Sequence, residues 1–318
     1  MSYAYYPGCS LTESAQEYDV STRLVFERLC LGLNEITDWT CCGAGAVDAV
    51  SGLLALALPA RNLGLAAKQY PGKDVMAPCS ACYLNHLKVV EQTRHDRKLT
   101  ARVNQAIAGE GLALDPGVRV RHLLDVLVND VGEERIGQAV LVPLEGLVVA
   151  PYYGCQALRP YPVFDDPERP SSMDRILAAL GATVLAWDKS ATCCGASLMA
   201  TDQDTALRAV AGILSAAGEA HCVATVCPLC SMNLEAYQRQ ALRGSGSARE
   251  VAVVYLPQLM GLAMGMSPED VLLSKNLALT DRLSEALDRN HKQANIVSFR
   301  SDNHNRRVSP CSRTSSSR

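Results

Sequence analysis

Residues 40–44 read Thr40-Cys41-Cys42-Gly43-Ala44, and the same five letters return as Thr192-Cys193-Cys194-Gly195-Ala196. Each vicinal pair belongs to a larger set. Cys9, Cys41, Cys42, Cys79 and Cys82 are separated by 31, 0, 36 and 2 residues; Cys155, Cys193, Cys194, Cys227 and Cys230 are separated by 37, 0, 32 and 2. The pattern C…CCG…CxxC therefore occurs twice in the same order. The flanks agree as well: YYPGC (5–9) matches YYGC (152–155), and APCSAC (77–82) matches VCPLC (226–230). A shared order over a period of roughly 150 residues indicates duplication of a module larger than a solenoid repeat. Of the 13 cysteines, only Cys30, Cys222 and Cys311 fall outside the pattern. Cys30 lies in an apolar helical run and is expected in the core. Cys222 is expected in the core or as an occasional partner, and Cys311 sits in a polar tail.

The elements around the cysteines alternate between strand and helix. YAYY (3–6) reads as a strand, residues 12–31 as a helix, and NEITDW (34–39) as a strand running into Cys41. Residues 44–69 read as helix broken near Pro59, KDVMAP (73–78) as a strand, and 80–108 as helix. The second half repeats the order. GLVVAPYY (146–153) is a strand, MDRILAALGA (173–182) a helix stopped at Gly181, and ATVLAW (182–187) a strand. Residues 196–220 are helical, HCVATV (221–226) is a strand, and 229–242 is a helix. An apolar coda, strand-helix or helix, closes each half, at 118–132 and 251–265; SGSARE (245–250) is a loop. The expected fold is α/β: two pseudo-repeated modules with small parallel sheets flanked by helices. The pattern cysteines then fall at strand carboxyl ends, where ligands of such sheets gather. The division expected is 1–145, 146–270, and 271–318 as a helical end with a disordered polar tail; no periodicity is visible from 289 onward.

Composition narrows the function classes. The 318 residues are 48% hydrophobic and 20% charged, ordinary for a globular chain with a real core. A net charge of -3 gives no general attraction to nucleic acid. The most apolar run, SGLLALALPA (51–60), falls far short of the ~20 residues that a membrane span requires. MSYAYYPGCS lacks the basic start and apolar middle of a signal peptide, so a cytoplasmic location is expected. In a reducing compartment, cysteines at this density indicate metal ligation or redox chemistry rather than disulfide staples.

Five thiols per set constrain the chemistry. A structural zinc site uses four ligands and would leave one over. Side chains of adjacent residues diverge, so a vicinal pair serves one small ion poorly. A cluster several ångströms across offers separate iron atoms to neighbouring cysteines, and Gly43 and Gly195 permit a sharp turn beside it. Iron–sulfur ligation, zinc, and metal-free thiol–disulfide exchange all remain open at this level. GAGAVDAV (43–50) begins like a dinucleotide fingerprint but lacks its third glycine, and no four-cysteine ferredoxin run is present.

With YYPGCS, KSATCCGA, FDDPERPSSMD and YLPQLMGLAMG, the double pattern resembles the B-type subunits of heterodisulfide reductase, within the wider cysteine-rich CCG-domain family, over about residues 3–266. The resemblance implies two non-cubane [4Fe-4S] clusters. Cys9, Cys41, Cys42, Cys79 and Cys82 would hold one; Cys155, Cys193, Cys194, Cys227 and Cys230 would hold the other. It implies a catalytic subunit that cleaves, or in reverse forms, a disulfide or thiol-bound sulfur substrate between the two clusters. Each cluster would supply one electron to one sulfur. Electrons would come from a C-subunit-like iron–sulfur protein and an A-subunit-like flavoprotein of such a complex; the substrate could be protein-bound. The rival within enzymes is an electron-transfer subunit of a 2-hydroxy acid or glycerol-3-phosphate dehydrogenase. The rival outside them is a zinc-stapled assembly protein.

Other side chains have plainer expectations. Lys189, beside Asp188, could steer an anion but reads first as a surface lysine. His86 and His122 read as structural helix-face residues before proton donors. Asp-Pro turn formation accounts for FDDPERP (164–170). Trp39 and Trp187, ahead of the two vicinal pairs, read as core packing that could also shield a cluster.

Overall fold

The computed structural model describes residues 1–45, 47–243 and 249–301, with side chains as far as 293. Among these residues, eight short strands form two sheets. β1 (Ser2–Tyr5), β2 (Gly32–Glu35), β3 (Val75–Ala77) and β4 (Val120–His122) pair in the order β2-β1-β3-β4. β5 (Val148–Tyr152), β6 (Thr183–Val184), β7 (Cys222–Thr225) and β8 (Ala252–Tyr255) pair as β6-β5-β7-β8. Every pairing is parallel, as sheets built from strand-helix units require. The central strands are buried on both faces, which is why their sequences run apolar without alternation. The two-module α/β arrangement expected from the duplication is thus present.

The halves exchange elements. The helix Gln16–Arg28, which follows Cys9, packs against Leu256–Ala263 at the close of the second half. Reciprocally, Ser172–Ala179, which follows Cys155, packs against the helical segment at the close of the first half. Two ring pairs mark the same exchange. Tyr18 stacks on Tyr255 at the end of β8, with centroids 4.3 Å apart and planes at 4°. Phe164 stacks on His122 at the end of β4, at 5.6 Å and 4°. One apolar cluster consequently runs through both halves, beside a second that lies within the second half.

The junction itself is polar and satisfied. The buried Tyr18 hydroxyl donates to Pro78 O at 2.8 Å and to Val226 O at 3.1 Å. These carbonyls immediately precede Cys79 and Cys227. Ser80 Oγ adds a bond to Val226 O at 3.2 Å, and His122 Nε2 lies 3.2 Å from that Oγ. Buried carbonyls left bare are costly, so one hydroxyl shared between halves fixes their relative position.

Several local expectations need correction. The second strand is Gly32–Glu35, not 34–39, because its register with β1 starts at Ser2 opposite Gly32 and the chain turns at Asp38 with φ 60°. The helix does not break at Pro59. It runs Gly52–Gln69 through the proline, whose face is buried with Leu56, Ala60 and Leu63; the break falls at Ser51, whose Oγ caps Leu54 N at 3.2 Å. ATVLAW contributes only Thr183–Val184 to an edge. The last helix extends over Asp281–Ser301, past the point where periodicity was expected to fail. Its register is set upstream of 289, where Leu283, Ala286 and Leu287 are buried at helical spacing. Cys30 is exposed rather than core; it follows the end of Gln16–Arg28 at φ 54°. Cys222 is fully buried in β7, and burial pushes its thiol up to about 12. Cys311 and residues 245–248 of the expected loop lie outside the described residues.

Tyr18→Phe is expected to cost about 1–3 kcal/mol, because two buried carbonyls lose a shared donor while ring packing is kept. A denaturant titration should show a lower midpoint at unchanged slope; an unchanged midpoint contradicts the role given to this hydroxyl.

Candidate functional site

All ten pattern cysteines lie beyond strand carboxyl ends. Cys9 and Cys155 follow β1 and β5; the CxxC pairs follow β3 and β7, with Cys79 and Cys227 at the N-caps of Ser80–Thr93 and Pro228–Ala236. A helix N-terminus favours a thiolate. At Cys227 the neighbouring Cys230 thiol, then the N–H groups of Cys230 and Leu229, hold the thiol below its ordinary range. Three sulfurs of each set are buried: Cys42, Cys79 and Cys82, and Cys194, Cys227 and Cys230. Cys9, Cys41 and Cys193 are exposed and Cys155 is half-buried, so each set opens to the surface at one side.

The vicinal cysteines of the first set touch each other and reach different further partners. Cys41 Sγ lies 4.0 Å from Cys9 Sγ near the surface, whereas Cys42 Sγ lies 3.5 Å from Cys82 Sγ inside. Cys194 and Cys230 repeat the inner pair at 3.5 Å. The glycine after each pair, at φ 78° in Gly43 and 77° in Gly195, turns its N–H toward the first sulfur at 3.4 Å. Sulfurs at these separations share protons. Hydrogen bonds from Cys41 and Cys82 push Cys42 down to about 3, and Cys155, with help from Gly195 N–H and Arg159, pushes Cys193 down to about 6. The donors Cys41, Cys155, Cys82 and Cys230 are raised correspondingly.

A second tier of residues holds the sulfur loops, and sequence reasoning passed it over. Tyr6 and Tyr152 hydroxyls donate to Thr40 O at 2.8 Å and Thr192 O at 2.6 Å, just ahead of each vicinal pair. Asn85 and Asn233 amides donate to Cys42 O at 2.9 Å and Cys194 O at 2.7 Å. Their signal was in the repeat: a tyrosine three residues before the first cysteine and an asparagine three after the last, in both halves. Gly8 and Gly154 keep the space beside the sulfurs open. A Cβ would lie 2.8 Å from Cys82 Sγ at Gly8 and 3.0 Å from Cys230 Sγ at Gly154.

The remaining candidates make ordinary packing and hydrogen-bond contacts, and His122 ends strand β4 instead of lying on the helix face expected for it. His86 Nδ1 lies 2.7 Å from Cys82 O, and burial lowers its pKa. His122 is buried, which pushes it down to about 3, and accepts from Leu124 N at 3.2 Å. Asp165 and Asp166 accept backbone N–H bonds within 165–172, which is turn formation. Lys189 pairs with Asp188 at 3.1 Å. Trp39 and Trp187 pack on Tyr6 and Tyr152 at 5.3 and 6.2 Å.

The pattern side chains of each set are all sulfur donors. Among the described residues, no three His, Cys, Asp or Glu side chains gather closely enough for a single metal ion. Five sulfurs per set, with the backbone at Gly8 and Gly154 free of a Cβ beside Cys82 and Cys230, fit a larger, sulfur-ligated group.

The family model for the cysteine-rich CCG domain matches residues 3–86 and 149–235, which contain all ten cysteines. The chain belongs to the cysteine-rich CCG-domain family. Among relatives of this CCG-domain protein, it is 35% identical to the 8-methylmenaquinol:fumarate reductase membrane anchor subunit of Wolinella succinogenes, over 86% of this chain and 96% of that one. It is 28% identical to a B-subunit-like heterodisulfide reductase protein of Archaeoglobus profundus, covering 85% and 93%. The B subunit of a ferredoxin/F420H2-dependent CoB-CoM heterodisulfide reductase from Methanosarcina acetivorans matches at 25%, covering 85% and 91%. In fold, the chain resembles the crystal structure of a hypothetical protein from Helicobacter pylori, with TM-score 0.69 and 16% identity over 88% of this chain and 52% of that one. The CCG-domain protein spans about half of that structure, and the likeness is one of fold. Among its described residues no helix is long and apolar enough to cross a membrane.

Gly154→Ala is expected to destabilise by about 1–2 kcal/mol from the left-handed backbone alone, with further loss from the contact at Cys230. Asn233→Ala should cost about 1–3 kcal/mol by baring Cys194 O. Thermal unfolding of both variants checks this, and wild-type midpoints would contradict the supporting role.

Proposed function

We propose that this CCG-domain protein is the iron–sulfur subunit of a heterodisulfide reductase-like complex, with two [4Fe-4S] clusters of non-cubane type. Cys9, Cys41, Cys42, Cys79 and Cys82 would hold one, and Cys155, Cys193, Cys194, Cys227 and Cys230 the other. The observation that carries the reading is the Tyr18 hydroxyl bonded to both Pro78 O and Val226 O, which brings the two sulfur sets side by side. The family match over both sets and the B-subunit-like relatives support it.

When bound, clusters of this kind supply electrons singly, and reduction of a disulfide takes two electrons and two protons to give two thiols. The chain's own contribution is placement. Helix N-termini behind Cys79 and Cys227 favour thiolate ligands, the tyrosine and asparagine pairs hold the loops, and buried rings keep water from the inner sulfurs. The surface-facing Cys9, Cys41 and Cys193 mark the sides open to substrate or partner. A disulfide or thiol-bound sulfur compound, free or protein-bound, is the substrate in this reading. A C-subunit-like iron–sulfur protein and an A-subunit-like flavoprotein deliver the electrons. The same reading divides the chain after residue 145 and again after 270, and keeps it in the reducing cytoplasm, where exposed thiols persist.

One observation favours a second reading. The relative at 35% identity is named as part of a quinol:fumarate reductase, so the paired clusters could conduct electrons to a partner's acceptor without cleaving a disulfide here. Electron-transfer service to a 2-hydroxy acid or glycerol-3-phosphate dehydrogenase belongs to the same class. A zinc-stapled scaffold is disfavoured by five thiols per set, one more than a structural zinc site uses.

Anaerobically purified protein should contain ~8 iron and ~8 acid-labile sulfide, and Cys42→Ser or Cys194→Ser should each remove about half. A folded, colourless protein with two zinc would overturn the proposal. In the assembled complex, dithionite-driven thiol release from a disulfide supports the first reading; cluster reduction without thiol release supports the second.

A further inference from the structure

The two sulfur sets are built alike and housed differently. Four residues after the last cysteine of each set stands His86 in the first half and Leu234 in the second, on equivalent helices. His86 is fully buried, as is Asn62 on Gly52–Gln69. The corresponding helix of the second half, Gln203–Ala216, buries only Ala206, Val210, Ile213 and Leu214. Both inner sets pack into apolar clusters, Cys42, Cys79 and Cys82 with Leu56, Ala60 and Leu63, and Cys194, Cys227 and Cys230 with Val210, Ile213, Leu214 and Leu234; the polar pair is added beside the first set only.

The polar pair is fully engaged. Asn62 Oδ1 accepts from Thr40 N at 2.8 Å, and its Nδ2 donates to Thr40 O at 2.9 Å. The same Nδ2 lies 3.4 Å from His86 Nε2, while His86 Nδ1 lies 2.7 Å from Cys82 O. These bonds close when Nδ1 carries the hydrogen and Nε2 accepts, which is a neutral imidazole. The Tyr6 ring covers it at 4.4 Å. Asn62 and His86 therefore bridge the residue ahead of Cys41 to the carbonyl of Cys82, spanning the first set from behind. The second half has no counterpart of this bridge: Tyr152 and Asn233 donate to Thr192 O and Cys194 O, and Arg159 Nη2 donates to Ala191 O.

Buried dipoles cost desolvation, and a core position that its repeat fills with leucine has no need of them. Beside a redox centre they have a use. A cluster that takes up an electron gains negative charge; polar neighbours stabilise that charge, and an aliphatic wall does not. We propose that Asn62 and His86 are positioning residues that raise the reduction potential of the cluster held by Cys9, Cys41, Cys42, Cys79 and Cys82, making the two centres inequivalent. This rests on the clusters proposed above. Arg159 donates to Ala191 O, two residues ahead of Cys193, and so places a cation beside the second set alone. The order of the two potentials is therefore set by more than the polar pair, and its own effect is read in how the first potential responds to its loss.

The test is a dye-mediated, dithionite-driven potentiometric titration of the anaerobic, cluster-loaded full chain, followed by electron paramagnetic resonance. Each cluster takes one electron from dithionite per step, and the transition altered in Cys41→Ser belongs to the first set. His86→Leu and Asn62→Leu should shift that transition to lower potential and leave the other in place, with iron content unchanged; His86→Gln should keep it near wild type. Unmoved potentials at full iron content would overturn the inference. So would equal loss of first-set iron in His86→Leu and His86→Gln, since the pair would then serve only to hold the loop. An iron-free wild type would instead sink the cluster reading.

Discussion

One tyrosine hydroxyl, buried where the two halves meet, governs how the sulfur sets face each other. Tyr18 comes from the first half, stacks on Tyr255 of the second, and donates to the carbonyl ahead of a CxxC in each. Parallel sheets deliver ligands to their carboxyl edges whatever their setting. Two such edges become one functional region only if something holds them together. Here the exchange of helices supplies the apolar adhesion, and Tyr18, Ser80 and His122 satisfy the polar groups that the junction buries.

Within each edge, the covalent adjacency of two cysteines becomes an advantage once each reaches a different further partner. One sulfur turns to the surface beside the set's first cysteine, and the other turns inward beside its last, as Cys41 and Cys42 do. Glycines at left-handed backbone positions make that turn possible and bring an N–H to the outer sulfur. The duplication kept the inner sulfur pair in both halves and let the walls behind it drift, with Asn62 and His86 buried among apolar side chains behind the first set and aliphatic side chains behind the second.

The sequence carried the sulfur pattern, its duplication and the alternation of strand and helix, because ligand spacing and apolar periodicity are local properties. It did not carry the helix exchange, which depends on surfaces far apart in the chain; nothing local marks Tyr18 as a partner of Val226. Strand limits at 34–39 and 182–187 were too wide because edge strands end where pairing ends, not where β-branched residues do. Pro59 misled because burial of a whole helical face outweighs one missing backbone bond. Asn85 and Asn233 were legible in principle, since each stands three residues after the final cysteine of its set, but an asparagine carries no spacing signature as specific as that of paired cysteines.

Diffraction from anaerobically grown crystals, at wavelengths bracketing the iron absorption edge, would show the paired centres themselves. Two iron-specific density maxima are expected, one enclosed by each set of five sulfurs, on either side of the Tyr18 hydroxyl. Zinc-specific density at those positions, or ordered thiols with no anomalous scatterer between them, would contradict the iron–sulfur reading.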